Sequence, residues 1–318
     1  MLLAVNFHYI RENFDAPYPA IFGITPSQFR SQLELLAKLG TFVSASDIAN
    51  QIEKDEIFQK KSIVITFDDG LQEQFDLAKP ILDEMGIPAI YFINTKTLSE
   101  KILLNVHRIH LVRSLLSPDT ILENLIKSSV FKSLRKDKRN KIQELGSRHY
   151  IYDSYQNAYL KYLLNFVFLP EEVDREFTFL LREICNVDEI IEHKKLYMSL
   201  EAINSLAKSD SIGSHAHDHI PLGTLPKEKI NFQIHRSREI LNELQITSKA
   251  FSYPYGSKEA VGIAPQLLKE HGFTFAFTME RGLNLRNYNS LKLKRYDNND
   301  VPGGKAYSPN HPIPHFEL

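Results

Sequence analysis

Three histidines, His215, His217 and His219, lie within five positions of a chain that contains only twelve histidines. Imidazole nitrogens bind Zn²⁺ and similar ions, and two ligands from one short segment must point at one spot. Residues 211–215, SIGSH, predict a short strand, so we expect the histidines in a loop that leaves it as one helical turn. On such a turn residues i and i+4 share a face, so His215 and His219 should converge on a metal while His217 points away. A solvated histidine-rich loop is the alternative.

Two adjacent aspartates end an apolar run elsewhere in the chain. Residues 61–70 read KSIVITFDDG, and their β-branched residues predict a buried strand over Ser62–Phe67. Asp68 and Asp69 then lie at its carboxyl end, where parallel α/β folds hold their reactive groups. Adjacent carboxylates on an extended chain point different ways, so one can bind a metal while the other acts as a general base. The alternative is an Asp-Gly turn before a helix that Asp68 caps.

The elements that must hold these clusters alternate between strand and helix. Strands are predicted over residues 2–8, 62–67, 89–93, 211–215, 273–278 and 291–296 and at the start of 250–256, with helices after the capping box TPSQ at 25–28 and over 71–85, 226–244 and 258–271. This alternation predicts an α/β protein with a parallel sheet. Residues from about 100 to 195 contain amphipathic patterns and one glycine, which predicts a helical insertion, and the tail 297–318 reads as irregular.

The bulk composition excludes several classes of protein. The chain has 318 residues, 43% of them hydrophobic, which suits one large domain or two small ones. The net charge of −1 does not suggest nucleic-acid binding, and a single cysteine allows neither an internal disulfide nor a cysteine-based zinc site. No apolar run is long enough for a transmembrane helix, and the N-terminus lacks the features of a signal peptide, so we expect a cytoplasmic protein.

Three separated motifs, TFDDG, SHAHDHIPL and FSYPYG, follow predicted strands. In combination they resemble the polysaccharide deacetylase family, also called the NodB-homology domain or carbohydrate esterase family 4. The resemblance covers residues of about 60–95 and 196–300, together with the first strand. It implies a distorted (β/α) barrel of seven or eight strands, and therefore one deacetylase-like domain over residues 1–318 that carries the helical insertion.

The resemblance assigns roles to the two polar clusters. Asp68 matches the catalytic base of the family, and Asp69 matches a metal ligand. His215 and His219 match the two histidine ligands, and His217 has no assigned role. One divalent metal is therefore implied, and one anionic with two neutral ligands favours Zn²⁺, with Co²⁺, Ni²⁺ and Mn²⁺ as alternatives.

The FSYPYG segment departs from the family pattern. Pro254 and Tyr255 match the end of its R-x-P-Y motif, in which the tyrosine backbone N–H helps to form the oxyanion hole. The motif arginine, which pairs with the base and orients it, is Ser252 here. Arg295, on the last predicted strand, is our candidate to replace it from another direction, and we expect Pro254, Tyr255 and Arg295 on the substrate side. Similar YPYG forms occur in the branch that includes poly-N-acetylglucosamine deacetylases.

A histidine that would protonate the departing amine comes from the other end of the chain. His8 closes the first predicted strand in VNFHY, which resembles the MYH of permuted family members. Imidazole can give up a proton near neutral pH, so His8 is the predicted general acid. A buried structural histidine is the alternative.

The resemblance implies a metal-dependent de-N-acetylase. We expect an N-acetylated sugar or glycan as substrate, in surface-polysaccharide or glycolipid biosynthesis, since no signal peptide points to an extracellular polymer. One alternative is a metal-dependent hydrolase of a non-sugar amide or a formyl group. Another is a catalytically decayed domain that binds glycan, which the missing motif arginine suggests.

Overall fold

The computed structural model describes residues 1–54, 60–133, 135–149, 154–286, 288–308 and 313. They form two compact units. The first, called the barrel unit, comprises Met1–Asn13, Gly23–Ile102 and His193–Leu318. The second, called the helical unit, comprises Phe14–Phe22 and Leu103–Glu192, and its longer segment overlaps the region in which the sequence predicts a helical insertion. The prediction of one domain with an insertion stays a prediction, as does the irregular tail, of which 309–312 and 314–318 lie outside the described residues.

The described strands all belong to the barrel unit. They are β1 (Leu2–Phe7), β2 (Tyr9–Ile10), β3 (Gly23–Ile24), β4 (Thr41–Phe42), β5 (Ser62–Phe67), β6 (Ala89–Ile93), β7 (Ile212–Ser214), β8 (Ala250–Ser252), β9 (Phe275–Phe277) and β10 (Tyr296–Asp297). Eight of them form one sheet in the order β10-β1-β5-β6-β7-β8-β9, with β4 beside β5, and every pair is parallel. This curled parallel sheet confirms the predicted distorted (β/α) barrel.

The described helices belong to both units. In chain order they are α1 (Pro26–Ala37), α2 (Ala45–Glu53), α3 (Lys79–Met85), α4 (Lys96–Ser99), α5 (Asn105–Leu115), α6 (Pro118–Lys127), α7 (Ser129–Ser133), α8 (Lys136–His149), α9 (Tyr155–Phe166), α10 (Pro170–Phe179), α11 (Glu189–Leu196), α12 (Leu200–Ala207), α13 (Lys227–Glu243), α14 (Lys258–Val261) and α15 (Ala264–Glu270). No helix in the described part of the chain is long and apolar enough to cross a membrane.

The start of α1 shows how the sequence sets a helix boundary. Thr25 and Gln28 form the predicted capping box, and Pro26 occupies the first turn, where its missing N–H costs nothing. Phe29 and Leu33 share one face and are fully buried against the apolar cluster that includes Phe7 of β1 and Phe67 of β5. The periodicity of the sequence therefore predicts both the helix and the face that packs on the sheet.

Two predicted helices are less regular than expected. The helix predicted over 71–85 contains a π-helical stretch, Gln74–Ala78, before α3, and Pro80 lies in the first turn of α3. Proline has no N–H to donate, so it is tolerated in the first turn of a helix but not in its interior. The helix predicted over 258–271 is divided into α14 and α15 at Gly262, whose φ of +51° a helix does not accommodate.

The last predicted strand, 291–296, is wrong in its bounds. Ser290–Lys292 forms a short 3₁₀ turn, and β10 begins only at Tyr296. The residues between them bridge two strands: Leu293 exchanges backbone hydrogen bonds with the β9 region, and Tyr296 pairs with Val5 of β1. Arg295 therefore lies where this segment passes from one side of the barrel to the other.

Side chains alternate between two faces of the sheet, because successive residues of a strand point opposite ways. One face packs on α1, and the other, called the inner face, carries an apolar cluster that includes Leu2, Ala4, Val64, Ile90, Phe92, Ala250, Phe275, Phe277 and Leu293. The same alternation continued toward the carboxyl ends reaches buried polar residues, namely Asn6, Thr66, Asp68, Ser252 and Arg295. The inner face thus changes from apolar to polar toward the end where the predicted site residues lie.

Candidate active site

A tight turn after β5 separates the two aspartates. Asp69 has a φ of +80° and Gly70 a φ of +64°, so both lie in the left-handed region. The extended geometry expected for Asp68 and Asp69 is therefore wrong, and the turn rather than strand alternation sends their carboxylates apart. Gly70 is required here, since a Cβ on it would lie 2.7 Å from Cγ2 of Ile93. A left-handed aspartate is uncommon, and such backbone is concentrated at functional sites.

The histidine turn is anchored to the end of β6. The backbone N–H of His215 donates to the carbonyl of Ile93 at 2.9 Å, and the side-chain amide of Asn94 donates to the carbonyl of His215. Ala216 and His219 have φ values of +61° and +46°, so the turn is left-handed at two positions and is not the helical turn that we predicted.

Despite this difference, the turn brings two histidines to Asp69. Nε2 of His215 lies 3.6 Å and Nε2 of His219 lies 3.3 Å from Oδ1 of Asp69. The possible ligand atoms of the three residues lie within 4.8 Å of one another, the only such cluster found among the described residues. One carboxylate and two imidazoles at this spacing can surround a single ion.

His217 points away from this cluster. Its Nδ1 lies 3.0 Å from Oγ1 of Thr95, and its ring meets Phe232 edge to face, with 5.9 Å between the ring centroids. Its side chain is buried, and burial lowers its pKa to about 4. The contacts of His217 join the turn to the segment that enters α4, which is a structural role.

The donor set fits a divalent metal. Nδ1 of His215 lies 2.8 Å from the carbonyl oxygen of Ser252, which can only accept, so the proton of the neutral ring is on Nδ1 and the lone pair of Nε2 faces Asp69. Burial lowers the pKa of His215 to about 4, so the ring is neutral at pH 7. A lone pair and a carboxylate oxygen 3.6 Å apart repel each other unless a cation lies near both. Asp69, His215 and His219 therefore suit Zn²⁺ or a similar ion.

Asp68 faces a different partner. Nη1 of Arg295 donates to its Oδ1 at 2.9 Å, and Nη2 donates to its Oδ2 at 2.8 Å. Nη2 also donates to Oγ of Ser252, the residue at the position of the family's motif arginine, at 2.9 Å. The guanidinium thus reaches the aspartate from the segment before β10. Arg295 is fully buried, which does not fit its predicted contact with substrate but does fit orientation of Asp68.

The environment of Asp68 keeps it ionised. Burial by itself would raise its pKa, but the charge of Arg295, a smaller contribution from His215 and the hydrogen bonds from Arg295 together hold the pKa well below its usual range. Because His215 is neutral at pH 7, Arg295 is the cation that matters there. The carboxylate is therefore available to accept a proton.

The turn after β8 presents Tyr255. Tyr255 and Gly256 have φ values of +61° and +59°, and this left-handed pair turns the chain toward the histidines. The Tyr255 ring is half-exposed and meets the ring of His219 at a centroid distance of 5.0 Å. Its backbone N–H donates to no described residue, which leaves it available to a ligand. Pro254 is buried, so it shapes the turn instead of offering a contact surface.

His8 immediately follows β1 and is half-buried. Its carbonyl accepts a hydrogen bond of 2.9 Å from Gln74, and the preceding residue, Phe7, accepts one of 3.1 Å from the backbone N–H of Asp68. These two hydrogen bonds hold the segment after β1 against the turn that carries Asp68. His8 therefore follows the strand next to the one that ends at Asp68, and its role as the general acid stays a prediction.

Comparison with known proteins supports this reading of the barrel. The sequence profile of the polysaccharide deacetylase family matches residues 55–160 and 180–276, which is more than half of the chain. The chain belongs to the polysaccharide deacetylase family. The family resemblance stated from the three motifs is thereby confirmed. No curated protein matches the sequence.

Several solved deacetylase structures share the fold of this family member. A de-N-acetylase from Aggregatibacter actinomycetemcomitans has a TM-score of 0.55 at 13% identity, over 93% of this chain and 95% of that one. IcaB from Ammonifex degensii has a TM-score of 0.54 at 16% identity, over 97% and 92%. The Streptococcus pyogenes deacetylase PplD, solved in complex with acetate, has a TM-score of 0.53 at 14% identity, over 93% and 91%. At these identities the likeness concerns the fold.

Two residues around the candidate site were missed in the sequence. The side chain of Asn6 lies 3.1 Å from Asp68 and 2.9 Å from Arg295, and the Thr66 hydroxyl lies 3.0 Å from Asn6. The signal was present: each is a polar residue near the end of an otherwise apolar buried strand, and Thr66 is two positions before Asp68 and so on the same face.

Proposed function

We propose that this protein is a metal-dependent de-N-acetylase of N-acetylated sugars. Membership of the polysaccharide deacetylase family supports an enzyme that acts on the amide bonds of sugars. The observation that carries the proposal is the placement of two distinct groups at one end of the barrel. One is the Asp69, His215 and His219 cluster, and the other is Asp68 with its own buried cation.

The metal would be held by Asp69, His215 and His219. A divalent ion bound there would act as a Lewis acid, which increases the acidity of water and polarises a carbonyl oxygen. The three residues leave part of the coordination sphere to ligands from outside the protein, which is the pattern of catalytic sites. Hydrogen bonding of His215 to Ser252 fixes the ring orientation that this coordination requires.

The remaining residues of the site have proton-transfer and charge-stabilising roles. Asp68, held ionised by Arg295, takes the proton from the water that attacks the acetyl carbon. The backbone N–H of Tyr255 donates to the oxyanion, and such a preorganised donor is typically worth about 3–4 kcal/mol. His8 gives a proton to the departing amine, because an amine leaves far more readily once protonated. Acetate and a free amino sugar are the products.

The substrate class is an N-acetylated hexosamine unit of a surface polysaccharide or glycolipid under synthesis. The half-exposed ring of Tyr255 beside His219 supports a sugar, since aromatic rings pack against the apolar faces of sugar rings. The missing motif arginine no longer favours a catalytically decayed glycan-binding domain, because Arg295 pairs with Asp68 in its place.

The direct test measures acetate released from N-acetylglucosamine oligomers and from lipid-linked and nucleotide-linked N-acetylhexosamines, with added Zn²⁺. We expect release by the wild type, loss on chelation, and loss in Asp68→Asn. An N-formyl sugar and a simple N-acyl amide tested in parallel report the non-sugar alternative. Release of formate alone, or of acid from the simple amide alone, would overturn the proposal in favour of that enzyme. Binding of the oligomers without any turnover would overturn it in favour of a glycan-binding domain.

A further inference from the structure

All hydrogen-bond donors of Arg295 are used inside the barrel. Its Nε donates to the carbonyl of Thr278 at 3.0 Å. Its Nη1 donates to Oδ1 of Asn6 and to Oδ1 of Asp68, both at 2.9 Å. Its Nη2 donates to Oδ2 of Asp68 at 2.8 Å and to Oγ of Ser252 at 2.9 Å. Nη1 also lies 3.3 Å from Oγ1 of Thr66. A guanidinium has five N–H groups, and the five shorter contacts account for all of them, so Arg295 is held in one position.

The two oxygens of Asp68 differ in what they accept. Oδ2 receives Nη2 of Arg295 and, at 3.1 Å, Nδ2 of Asn6. Oδ1 accepts one hydrogen bond from the described residues, which is donated by Nη1 of Arg295. Each carboxylate oxygen has two lone pairs, so Oδ2 is filled and Oδ1 keeps one lone pair. A proton that Asp68 accepts must therefore bind Oδ1.

The orientation of the Asn6 amide follows from its neighbours. Its Oδ1 faces Nη1 of Arg295, which can only donate, and the Thr66 hydroxyl also lies 3.0 Å from that oxygen. Its Nδ2 faces Oδ2 of Asp68, which can only accept, and lies 3.6 Å from the thioether sulfur of Met279. A flipped amide would set donor against donor and acceptor against acceptor. Asn6 therefore contacts both members of the ion pair with one side chain, and a carboxylate or a hydroxyl could not do so in the same way.

We propose that Asn6 is a positioning residue whose hydrogen bond occupies the second lone pair of Oδ2 of Asp68, so that Oδ1 alone can accept a proton. This inference rests on the proposed role of Asp68 as the base. Without Asn6 the carboxylate has a free lone pair on each oxygen, and it can turn about its Cβ–Cγ bond relative to Arg295. Both changes move the accepting lone pair away from the proton of the attacking water. A small misplacement of a catalytic group lowers the rate strongly. The effect falls on the chemical step, because Asn6 is fully buried and does not contact substrate.

The test compares Asn6→Leu, which keeps the approximate shape of the side chain, with Asn6→Ala. The matched control is Gln32→Leu, which removes another buried amide of the barrel unit, whose Nε2 donates to the carbonyl of Asn298 at 2.8 Å. We expect both Asn6 variants to lose about tenfold to a hundredfold in kcat, part of the contribution of a positioned base, with KM and metal content unchanged. Gln32→Leu should lose stability but keep kcat.

The outcomes separate this inference from the proposed function. If the wild type releases acetate and Asn6→Leu has the same kcat, the positioning role is wrong while the deacetylase function stands. The same holds if Gln32→Leu loses as much kcat as Asn6→Leu, since loss of any buried amide would then suffice. If the wild type releases no acid from any substrate, the function fails, and a crystal structure of Asn6→Leu decides the inference. A rotated Asp68 carboxylate would support it, and a carboxylate unchanged on Arg295 would overturn it.

Discussion

The guanidinium of Arg295 and the carboxylate of Asp68 form a two-bond ion pair inside the barrel, and both side chains are almost completely buried. Taking two charges out of water is costly, so such a pair is stable only while both partners and their other hydrogen bonds remain. The charge state of Asp68 thus depends on a residue 227 positions away in the chain. The consequences can be measured.

Replacing Arg295 by leucine should make stability depend on pH in a new way. In the wild type the depressed pKa of Asp68 stabilises the fold above about pH 4, the ordinary aspartate value, and this contribution is lost as the pH falls below it. In Arg295→Leu burial raises that pKa, so the sign reverses and stability is lost as the pH rises. The variant should therefore be about 3–5 kcal/mol less stable at neutral pH, with a smaller deficit near pH 4.

Urea unfolding at several pH values of metal-free protein measures this difference. Arg281→Leu is the control, since Arg281 is largely exposed in its ion pair with Asp300. We expect it to change the free energy of unfolding by less than about 1 kcal/mol at every pH. A deficit of Arg295→Leu that is the same at pH 4 and pH 7 would mean that Asp68 does not carry the effect.

The metal ligands can be distinguished by elemental analysis of the purified protein. We expect about one metal per chain in the wild type, as a single three-residue site predicts. His219→Ala should lose it, because Nε2 of His219 is one of the three converging atoms. His217→Ala should retain it, because His217 bonds to Thr95 and faces away.

Removing a residue that only hydrogen-bonds to a metal ligand typically lowers metal affinity by roughly 10- to 100-fold. His219→Ala removes a ligand itself, so its loss in affinity should be larger. If His217→Ala lost the metal and His219→Ala retained it, His217 and not His219 would be the ligand. The thermal stability of His217→Ala is a separate test of its structural role, and it should fall because a buried hydrogen bond and an aromatic contact are removed.

His8→Gln tests the general acid. Glutamine can hydrogen-bond but cannot deliver a proton, so we expect kcat for acetate release to fall by about 10²- to 10⁴-fold with metal content unchanged. His271→Gln is the control, because His271 bonds to Asn231 of α13 on the surface and is not one of the residues of the site. If kcat of His8→Gln equalled that of the wild type, His8 would be a structural histidine and not the general acid.

Gln245→Gly should stabilise the protein without affecting catalysis. Gln245 follows α13 with a φ of +59°, and Ile246 donates to the carbonyl of Leu241 at 2.9 Å, which is the Schellman arrangement that glycine prefers. A left-handed residue other than glycine costs about 1–2 kcal/mol, so we expect the free energy of unfolding to rise by up to about 1 kcal/mol. Urea unfolding beside Gln245→Val, which should be destabilising, checks this, and a less stable glycine variant would contradict it.

The sequence alone determined the local parts of this protein. The capping box at Thr25 and the apolar spacing after it predict α1 and its buried face, because capping and helix periodicity involve residues only three or four apart. The apolar run before Asp68 predicts β5, because a short continuous run of β-branched and apolar residues is typical of a strand buried on both faces. The motif residues in TFDDG, SHAHDHIPL and FSYPYG indicate the family and a parallel barrel, both of which are confirmed.

The tertiary structure decided how the site is assembled. The left-handed backbone at Asp69, His219 and Tyr255 could not be predicted from the sequence, because even aspartate and histidine adopt it only in a small fraction of cases. Arg295 reaches Asp68 because the segment before β10 links β9 to β1, a closure that depends on the register of strands far apart in the chain. Sequence periodicity predicts which face of the sheet a residue occupies. Which residues of different strands become neighbours is decided only when the strands pair.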